Sequence, residues 1–137
     1  MWLFEQISGR FSQDGELIGV GYAGRNYNDS GDWVHGKNNP DMEAIKGIGP
    51  LPAGHYTGRE LYPTHPVLGN FAIRLEPDEE TRAKILTYER DPDSFFLHGD
   101  SAEAPGKASH GCIVQSLDVR HKFWYGVDRE IDVVAGG

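Results

Sequence analysis

The sequence has a single cysteine, Cys112, among its 137 residues. No intramolecular disulfide can form, which excludes the small secreted scaffolds that depend on several of them. Basic residues are also few, since 13 Lys and Arg face 21 Asp and Glu and leave a formal net charge of −8. A protein that binds a phosphate backbone needs clustered Lys and Arg, so we expect no nucleic-acid partner.

Long apolar runs are missing as well. No segment approaches the roughly 18 consecutive apolar residues that a membrane span requires. Residues 1–6 lack the charged and apolar regions of a signal peptide. We therefore expect a chain that is made in the cytoplasm, carries no signal peptide and has no membrane span.

Glycine, proline and aromatic residues are plentiful instead. The sequence has 18 Gly and 8 Pro, together with 3 Trp, 6 Tyr and 6 Phe for a core. No internal repeat or shift in composition divides it, so residues 1–137 are expected to form one domain. This composition predicts a mainly β fold, a small sandwich or barrel with one to three short helices.

The order of elements follows from apolar periodicity and turn signals. Strands are predicted as a hairpin over 2–22 that turns at Gln13-Asp14-Gly15, and over 55–62, 71–75, 94–97 and 129–134. Helical turns are predicted over 40–46, and helices over 78–86 and 117–125. Ser116 is the expected N-cap of the last helix and Gly126 its end. Residues 24–39 and 99–108 are expected to be loops.

Cys112 lies among small and polar residues, directly after Ser109, His110 and Gly111. Such neighbours leave room for a peptide carbonyl to approach the backbone. A thiol with an ordinary pKa of about 8.5 is only a few per cent thiolate at neutral pH, so a nucleophilic cysteine needs a base. His98, at the end of an apolar strand, is the candidate base. The alternative, a lone cysteine that only packs in the core, is disfavoured by the polar surroundings.

These residues resemble the catalytic motif of the L,D-transpeptidases. In that family a His is followed by a loop and then by Ser or Thr with His-Gly-Cys. Here the motif reads His98-Gly99, a loop, and Ser109-His110-Gly111-Cys112. Residues 49–56 and 132–134 also resemble the turn-and-strand and the closing strand of those proteins. The resemblance covers roughly residues 16–134 and implies an L,D-transpeptidase-like β fold.

Within the superfamily, the sequence is most similar to the Tlde-type effectors of type VI secretion. The similarity lies in His98-Gly99-Asp100, in residues 109–113 and in residues 49–54. Two features depart from the common transpeptidase motif: the loop between His98 and Ser109 has only ten residues, and Ile113 is followed by Val114 and Gln115. The resemblance implies a small antibacterial toxin without a signal peptide. It would act on peptidoglycan stem peptides in the periplasm of a target cell.

The reaction implied by the resemblance is a cysteine acyl transfer without a cofactor. Cys112, activated by His98, would attack the carbonyl that links the third stem residue to a terminal D-alanine. D-alanine would leave and a thioester would remain. Water would then give an L,D-carboxypeptidase, whereas an amine would give exchange or cross-linking. Secretion machinery and a periplasmic immunity protein are the further partners that the resemblance implies.

Supporting roles are expected for the neighbours of this pair. The N–H groups of Gly111 and Cys112 are the local candidates for stabilising the oxyanion. Ser109 and His110 are expected to shape the turn, with catalysis by His110 as the weaker alternative. For the group that orients His98 the sequence offers Asp100, Ser101 or a backbone carbonyl such as that of Gly99, and Gly99 or Asp100 is favoured. Solvated loop charge is the alternative for Asp100.

Substrate-binding candidates lie further away in the sequence. His55 and Tyr56 follow the Pro-Gly turn, and Arg90 and Arg120 offer cations for a substrate carboxylate. Their alternatives are a sheet-face position for the first two and solvated or helix-surface charge for the arginines. A loop with Trp33 and His35 is expected either to cover the cleft or to pack on it.

Three other functions are alternatives to the acyl-transfer hypothesis. Zinc accepts ligands of the types offered by His98, Asp100, His110 and Cys112, which would make the protein a zinc-dependent hydrolase. A cysteine peptidase of the NlpC type needs a base after the cysteine, a place that only His121 fills. The third is a non-catalytic β-sandwich binding module that retains the catalytic turn.

Overall fold

The computed structural model describes residues 1–136. Its nine strands are β1 (Trp2–Glu5), β2 (Arg10–Gln13), β3 (Glu16–Val20), β4 (Tyr22–Ala23), β5 (Gly54–His65), β6 (Gly69–Pro77), β7 (Phe96–His98), β8 (Ile113–Val114) and β9 (Glu130–Val134). Its two α-helices are α1 (Glu79–Thr87) and α2 (Leu117–Tyr125), and a 3₁₀ turn covers Pro40–Met42. Neither helix is long and apolar enough to cross a membrane.

All nine strands belong to one sheet, in the order β3-β2-β1-β9-β5-β6-β7-β8-β4. The sheet curls into a nearly closed, barrel-like shape, so the predicted mainly β fold with few helices is confirmed. Most neighbours are antiparallel, but β1 pairs with β9 in parallel and β7 pairs with β8 in parallel. Parallel neighbours cannot be joined by a tight turn, so the chain between β7 and β8 must cross over as a loop.

The predicted N-terminal hairpin is formed by β2 and β3. Asp14 and Gly15 occupy its turn with φ of 49° and 86°. Positive φ at both central residues is the type I′ geometry that matches the twist of a hairpin and favours Asp-Gly. The structure adds β1, which pairs antiparallel with β2 and turns the hairpin into a three-stranded meander.

The last helix begins at its expected cap, Ser116, and the helix predicted from residue 78 begins at Glu79 with Asp78 as its cap. The Asp78 carboxylate accepts the Thr81 N–H at 2.9 Å, and the Ser116 hydroxyl accepts the Val119 N–H at 3.3 Å. These bonds satisfy N–H groups that the first helical turn leaves without a partner. Between residues 40 and 46 the structure forms only the short 3₁₀ turn, capped by the Asn39 side chain.

Aromatic side chains from opposite ends of the chain form much of the core. Trp2 stacks on Phe11 at a centroid distance of 4.8 Å, and Phe123 of α2 packs edge-on against Trp2 at 5.4 Å. All three are almost completely buried. The core therefore ties α2 to the N-terminal strands and fixes the position of the segment that precedes α2.

Phe123→Ala is expected to lower the free energy of unfolding by about 3–5 kcal/mol, because it removes a buried ring and leaves a cavity between Trp2 and Phe11. Val127→Ala, at a fully exposed position, is the matched control and should stay within about 0.5 kcal/mol of the wild type. Urea unfolding followed by tryptophan fluorescence measures both. Equal stability of the two variants would contradict the packing described here.

Candidate active site

The parallel pairing of β7 with β8 places His98 and Cys112 on one face of the sheet. Leu97 lies opposite Ile113, and His98 lies opposite Val114. By the same register Cys112 lies beside Phe96, and the Phe96 N–H points at the Cys112 sulfur from 3.4 Å. Since side chains alternate between the two faces of a strand, His98 and Cys112 share the face opposite to Leu97 and Ile113.

That face opens into a cleft of about 750 Å³. Its walls come from the tip of the β5–β6 hairpin, from β7 and the loop after it, and from the Cys112 turn. The residues of this lining with a titratable or hydroxyl side chain are His65, Ser94, His98, Asp100, Ser101, Lys107, His110 and Cys112. The structure therefore brings the sequence-predicted nucleophile and base into one accessible cavity.

The Cys112 thiol borders this cleft and is surrounded by backbone. Its sulfur lies 3.6 Å from the Ser94 carbonyl oxygen, to which the S–H points. Although the residue is only half-buried, loss of water around the thiol raises its pKa to about 11. The Phe96 N–H and the positive charge of Arg90 oppose this rise. The resting sulfur is therefore a protonated thiol, which would need a base to act as a nucleophile.

His98 is buried at the end of β7, and its Nδ1 lies 2.8 Å from the carbonyl oxygen of Gly99. A carbonyl only accepts, so Nδ1 carries the proton and Nε2 keeps the lone pair. Burial lowers the pKa of His98, and the charge of Arg120 lowers it further. The imidazole is therefore neutral at pH 7, with the tautomer that a general base needs.

Asp100 does not orient His98. Its carboxylate accepts the Tyr22 hydroxyl at 2.6 Å and the N–H groups of Ser101 and Gly106 at 2.8 and 3.0 Å. Burial acts to raise the pKa of Asp100, but these hydrogen bonds outweigh it and keep the pKa below its ordinary value. Asp100 thus holds the 99–108 loop in shape, and the orienting partner of His98 is the Gly99 carbonyl.

Ser109 stabilises the turn 109–112, which carries Cys112, through three hydrogen bonds. Its fully buried hydroxyl donates to the Cys112 carbonyl oxygen at 2.6 Å and accepts the N–H groups of Gly24 and Gly111 at 2.9 and 3.0 Å. The Gly111 N–H is thereby occupied, which corrects the expectation that it faces the oxyanion. The Cys112 N–H makes no hydrogen bond to another residue within the described chain, and it remains the local donor for an oxyanion.

Arg90 supports the same turn from beneath and does not face the cleft. It is only 5% exposed and forms no ion pair with a carboxylate of the described residues. Its guanidinium donates instead to four carbonyl oxygens, those of Glu43, Pro50, Gly49 and His110, at 2.6 to 3.4 Å. The substrate-binding role expected for Arg90 is therefore replaced by a structural one.

Gly111 is required by this arrangement. Its φ is +146°, and a Cβ at this position would lie 2.5 Å from a nitrogen of Arg90 and 3.2 Å from the Gly49 carbonyl oxygen. The Gly111 carbonyl accepts the Leu51 N–H at 2.8 Å. The Gly-Pro-Leu-Pro segment 49–52 is thus hydrogen-bonded directly to the turn 109–112 that carries Cys112.

Arg120 has the matching position beneath His98. It is 6% exposed and donates to the carbonyl oxygens of Gln115, Ser116, Asn70 and Phe71 at 2.7 to 3.3 Å. A Cβ on Gly99 would lie 2.7 Å from its guanidinium. Arg120 joins α2 to the start of β6 and to the end of β7, so its side chain is also unavailable to a substrate carboxylate.

His55 and Tyr56 lie outside the cleft. His55 is near the start of β5, where its two ring nitrogens lie 2.9 Å from the carboxylates of Asp132 and Glu130. Tyr56 is completely buried and donates its hydroxyl to the Pro52 carbonyl at 2.6 Å. Neither residue lines the Cys112 cleft, because Tyr56 points into the core and His55 points to the opposite face of the sheet, beside carboxylates of β9.

The structure does not bring together the residues on which the competing functions depend. Within residues 1–136, no three His, Cys, Asp or Glu side chains come close enough to hold a metal ion. His121 packs against Phe71 at a centroid distance of 4.5 Å and does not line the cleft. Trp33 is 60% exposed and stacks on His35, and neither residue lines the cleft.

His65 was missed by sequence reasoning. It lies at the end of β5, and the β5–β6 hairpin carries it over β7, where it packs 5.2 Å from the Phe96 ring. No motif connects His65 with His98 in the sequence. The one available signal was the His65-Pro66 step before a glycine, which marks a hairpin tip without saying which strand it covers.

Comparisons with models of protein families, with curated proteins and with solved structures each gave no significant match.

Arg90→Gln is expected to lower the free energy of unfolding by about 3 kcal/mol, because several buried carbonyls lose a charged donor. It should also slow iodoacetamide alkylation of Cys112 at pH 8.5 by about three- to tenfold, because loss of the positive charge raises the thiol pKa further. Arg90→Lys keeps the charge and should slow alkylation less than Gln does.

The control for this pair is Arg59→Gln, whose exposed side chain forms an ion pair with Glu76. It should leave both quantities unchanged. Stability comes from urea unfolding, and alkylation is followed by mass spectrometry under conditions where circular dichroism shows a native fold. If Cys112 of Arg90→Gln is alkylated as fast as Cys112 of the wild type, Arg90 has no electrostatic effect on the thiol.

Proposed function

We propose that this protein is a peptidoglycan-modifying cysteine acyl-transfer enzyme, an L,D-carboxypeptidase or L,D-transpeptidase that acts on tetrapeptide stems. The observation that supports it best is the pairing of Cys112 and His98 on one face of a cleft, with the His98 tautomer fixed by Gly99. The similarity of the Ser109–Cys112 segment to the L,D-transpeptidase motif supplies the substrate class. The single-domain organisation over residues 1–137 is part of this proposal.

The first step begins with a neutral thiol and a neutral imidazole. Cys112 Sγ attacks the carbonyl carbon between the third stem residue and D-alanine while Nε2 of His98 takes the thiol proton. The carbonyl oxygen becomes an oxyanion, toward which the Cys112 N–H is the available local donor. Collapse breaks the carbon–nitrogen bond, and the imidazolium returns its proton to the departing amine of D-alanine.

The second step regenerates the enzyme. A water molecule or an amine loses a proton to Nε2 of His98 and attacks the thioester carbonyl. The carbon–sulfur bond then breaks, and the thiolate recovers the proton. Water gives a tripeptide stem, whereas a D-amino acid or a neighbouring stem gives an exchanged or cross-linked product. The same two residues serve both outcomes, so the acceptor is selected by access to the cleft.

We also propose that the protein is an antibacterial type VI secretion effector that acts in the target-cell periplasm. This rests on the similarity of residues 49–54 and 98–113 to Tlde-type effectors. Secretion machinery and a periplasmic immunity protein are the partners that belong to this role. The protein is proposed to need no cofactor, because the thiol and the imidazole supply both the nucleophile and the proton transfers.

Purified wild type is expected to release D-alanine from disaccharide-tetrapeptide, or to exchange it when D-methionine is added. Cys112→Ala should lose all turnover, and His98→Ala should lose about 10²- to 10⁴-fold, the usual contribution of a general base. His121→Ala lies outside the cleft and is the control with a retained rate. Mass spectrometry of the muropeptides measures all four proteins.

Equal turnover by Cys112→Ala and wild type would reject the acyl-transfer mechanism. A second readout addresses the effector role, by expressing both proteins with and without a periplasmic export signal in a susceptible bacterium. Growth should fall only with the exported wild type. Growth inhibition by exported Cys112→Ala would separate any toxicity from the enzyme.

The pH profile of kcat/KM is expected to be flat around neutrality. Because the pKa of His98 is lowered from its ordinary value of 6.5, the imidazole stays neutral throughout the neutral range. The Cys112 thiol, with a pKa of about 11, stays protonated far above pH 7. Activity should therefore fall on the acid side only below about pH 6.5, as the imidazole becomes protonated. A rate that falls with a midpoint above pH 7 on that side would contradict a desolvated His98.

A further inference from the structure

His65 is the second histidine of the Cys112 cleft, and its tautomer is the reverse of that of His98. Its Nδ1 accepts the N–H groups of Val67 and Leu68 at 3.1 and 3.0 Å. An imidazole nitrogen that accepts two N–H bonds carries no proton, so the proton of the neutral ring is on Nε2. His98 thus presents a lone pair at Nε2, whereas His65 presents an N–H.

This N–H has no partner within residues 1–136, although His65 lines the cleft. The ring is held firmly, because it packs edge-on against Tyr62 at 5.3 Å and Phe96 at 5.2 Å, and these two rings also pack on each other at 5.5 Å. A fixed donor without an acceptor, at the wall of a cleft that contains a nucleophile, is well suited to bind an oxygen of a ligand.

The charge of the cleft indicates which kind of ligand oxygen this N–H would bind. Lys107 also lines it, is exposed, and forms no ion pair with the described part of the chain. The one carboxylate of the lining, Asp100, is already occupied by Tyr22, Ser101 and Gly106. A fixed neutral donor together with a free cation favours an anionic acceptor, and a carboxylate is the anion that a peptide end supplies.

The position of His65 relative to the base selects one carboxylate of the substrate. The leaving amine must come within hydrogen-bond reach of Nε2 of His98 to receive its proton. In D-alanine the carboxylate carbon is only two bonds from that amine. The group that binds it must lie close to His98, and His65 packs on Phe96, two residues from His98 on the same face of β7.

We propose that the Nε2–H of His65, together with Lys107, binds the free carboxylate of the departing D-alanine. This inference rests on the proposed function and specifies its substrate: stems that end in a free D-alanine carboxylate immediately after the scissile bond. A stem with a further residue, or with an amidated end, carries no carboxylate at this subsite.

Two substitutions of His65 separate substrate binding from the structure of the hairpin. In His65→Asn the amide oxygen takes the place of Nδ1 and keeps the bonds to Val67 and Leu68, but no donor reaches the position of Nε2. In His65→Gln the longer amide restores a donor near the position of Nε2 and loses those backbone bonds. His121→Asn is the matched control, since His121 lies outside the cleft.

The experiment compares kcat/KM for disaccharide-tetrapeptide as the free acid and as the C-terminal amide. Wild type should prefer the free acid by about tenfold or more, the range of a hydrogen bond to a charged group. His65→Asn should lose about tenfold on the free acid and change little on the amide. His65→Gln should recover most of the preference, and Lys107→Met should reduce it while Lys107→Arg retains it.

Two results would overturn the inference while the proposed function stands. One is that His65→Asn prefers the free acid over the amide as strongly as the wild type does. The other is an equal loss on both substrates in His65→Asn and His65→Gln, which would give His65 only a structural role. The iodoacetamide rate of Cys112 and the melting temperature are measured for each variant to show that the site is intact.

Failure of the proposed function gives a different result, because wild type would then release no D-alanine from either substrate. Binding to Cys112→Ala, measured by calorimetry with the same free acid and amide, then decides the carboxylate subsite by itself. Tighter binding of the free acid that disappears in Cys112→Ala/His65→Asn supports the subsite. Equal binding of the two peptides overturns it.

Discussion

The parallel pairing of β7 with β8 is the constraint on which the site depends. It brings residues from either end of a fourteen-residue connection, 99–112, into adjacent positions. It also sets the register that places His98 and Cys112 on one face. A shift of one residue would turn Cys112 toward the core and Ile113 toward the cleft. The buried Ile113 and Leu97 oppose such a shift, because it would expose them to water.

Two buried arginines fix the two sides of this pairing. Arg90 binds the turn before Cys112, and Arg120 binds the segment beneath His98. Neither forms an ion pair with a carboxylate among residues 1–136, so the hydrogen bonds of each guanidinium go to carbonyl oxygens. Their positive charges lower the pKa of both side chains: Arg90 favours the thiolate of Cys112, and Arg120 disfavours the imidazolium of His98. The same two arginines therefore hold the backbone of the site in place and set its electrostatics.

The three histidines near the cleft show how neighbours assign chemistry to identical side chains. His98 donates from Nδ1 to a carbonyl and keeps a basic Nε2, whereas His65 accepts at Nδ1 and offers a proton at Nε2. His110 is exposed and adds its carbonyl to the partners of Arg90. The sequence identified His98 and His110 through the motif around Cys112. It gave no comparable signal for His65, whose role depends on a hairpin folding over another strand.

The sequence by itself determined the local elements and singled out Cys112 and His98 as a pair. Ser116 and Asp14-Gly15 act within four residues of themselves, so this helix cap and this hairpin turn were predicted from residue type. Tertiary structure decided β4 and β8, each only two residues long, because such strands exist only through their partners. It also decided that Tyr56, Arg90 and Arg120 are buried supports. A side chain's type gives its chemistry, but its exposure and partners come from segments far away in the chain.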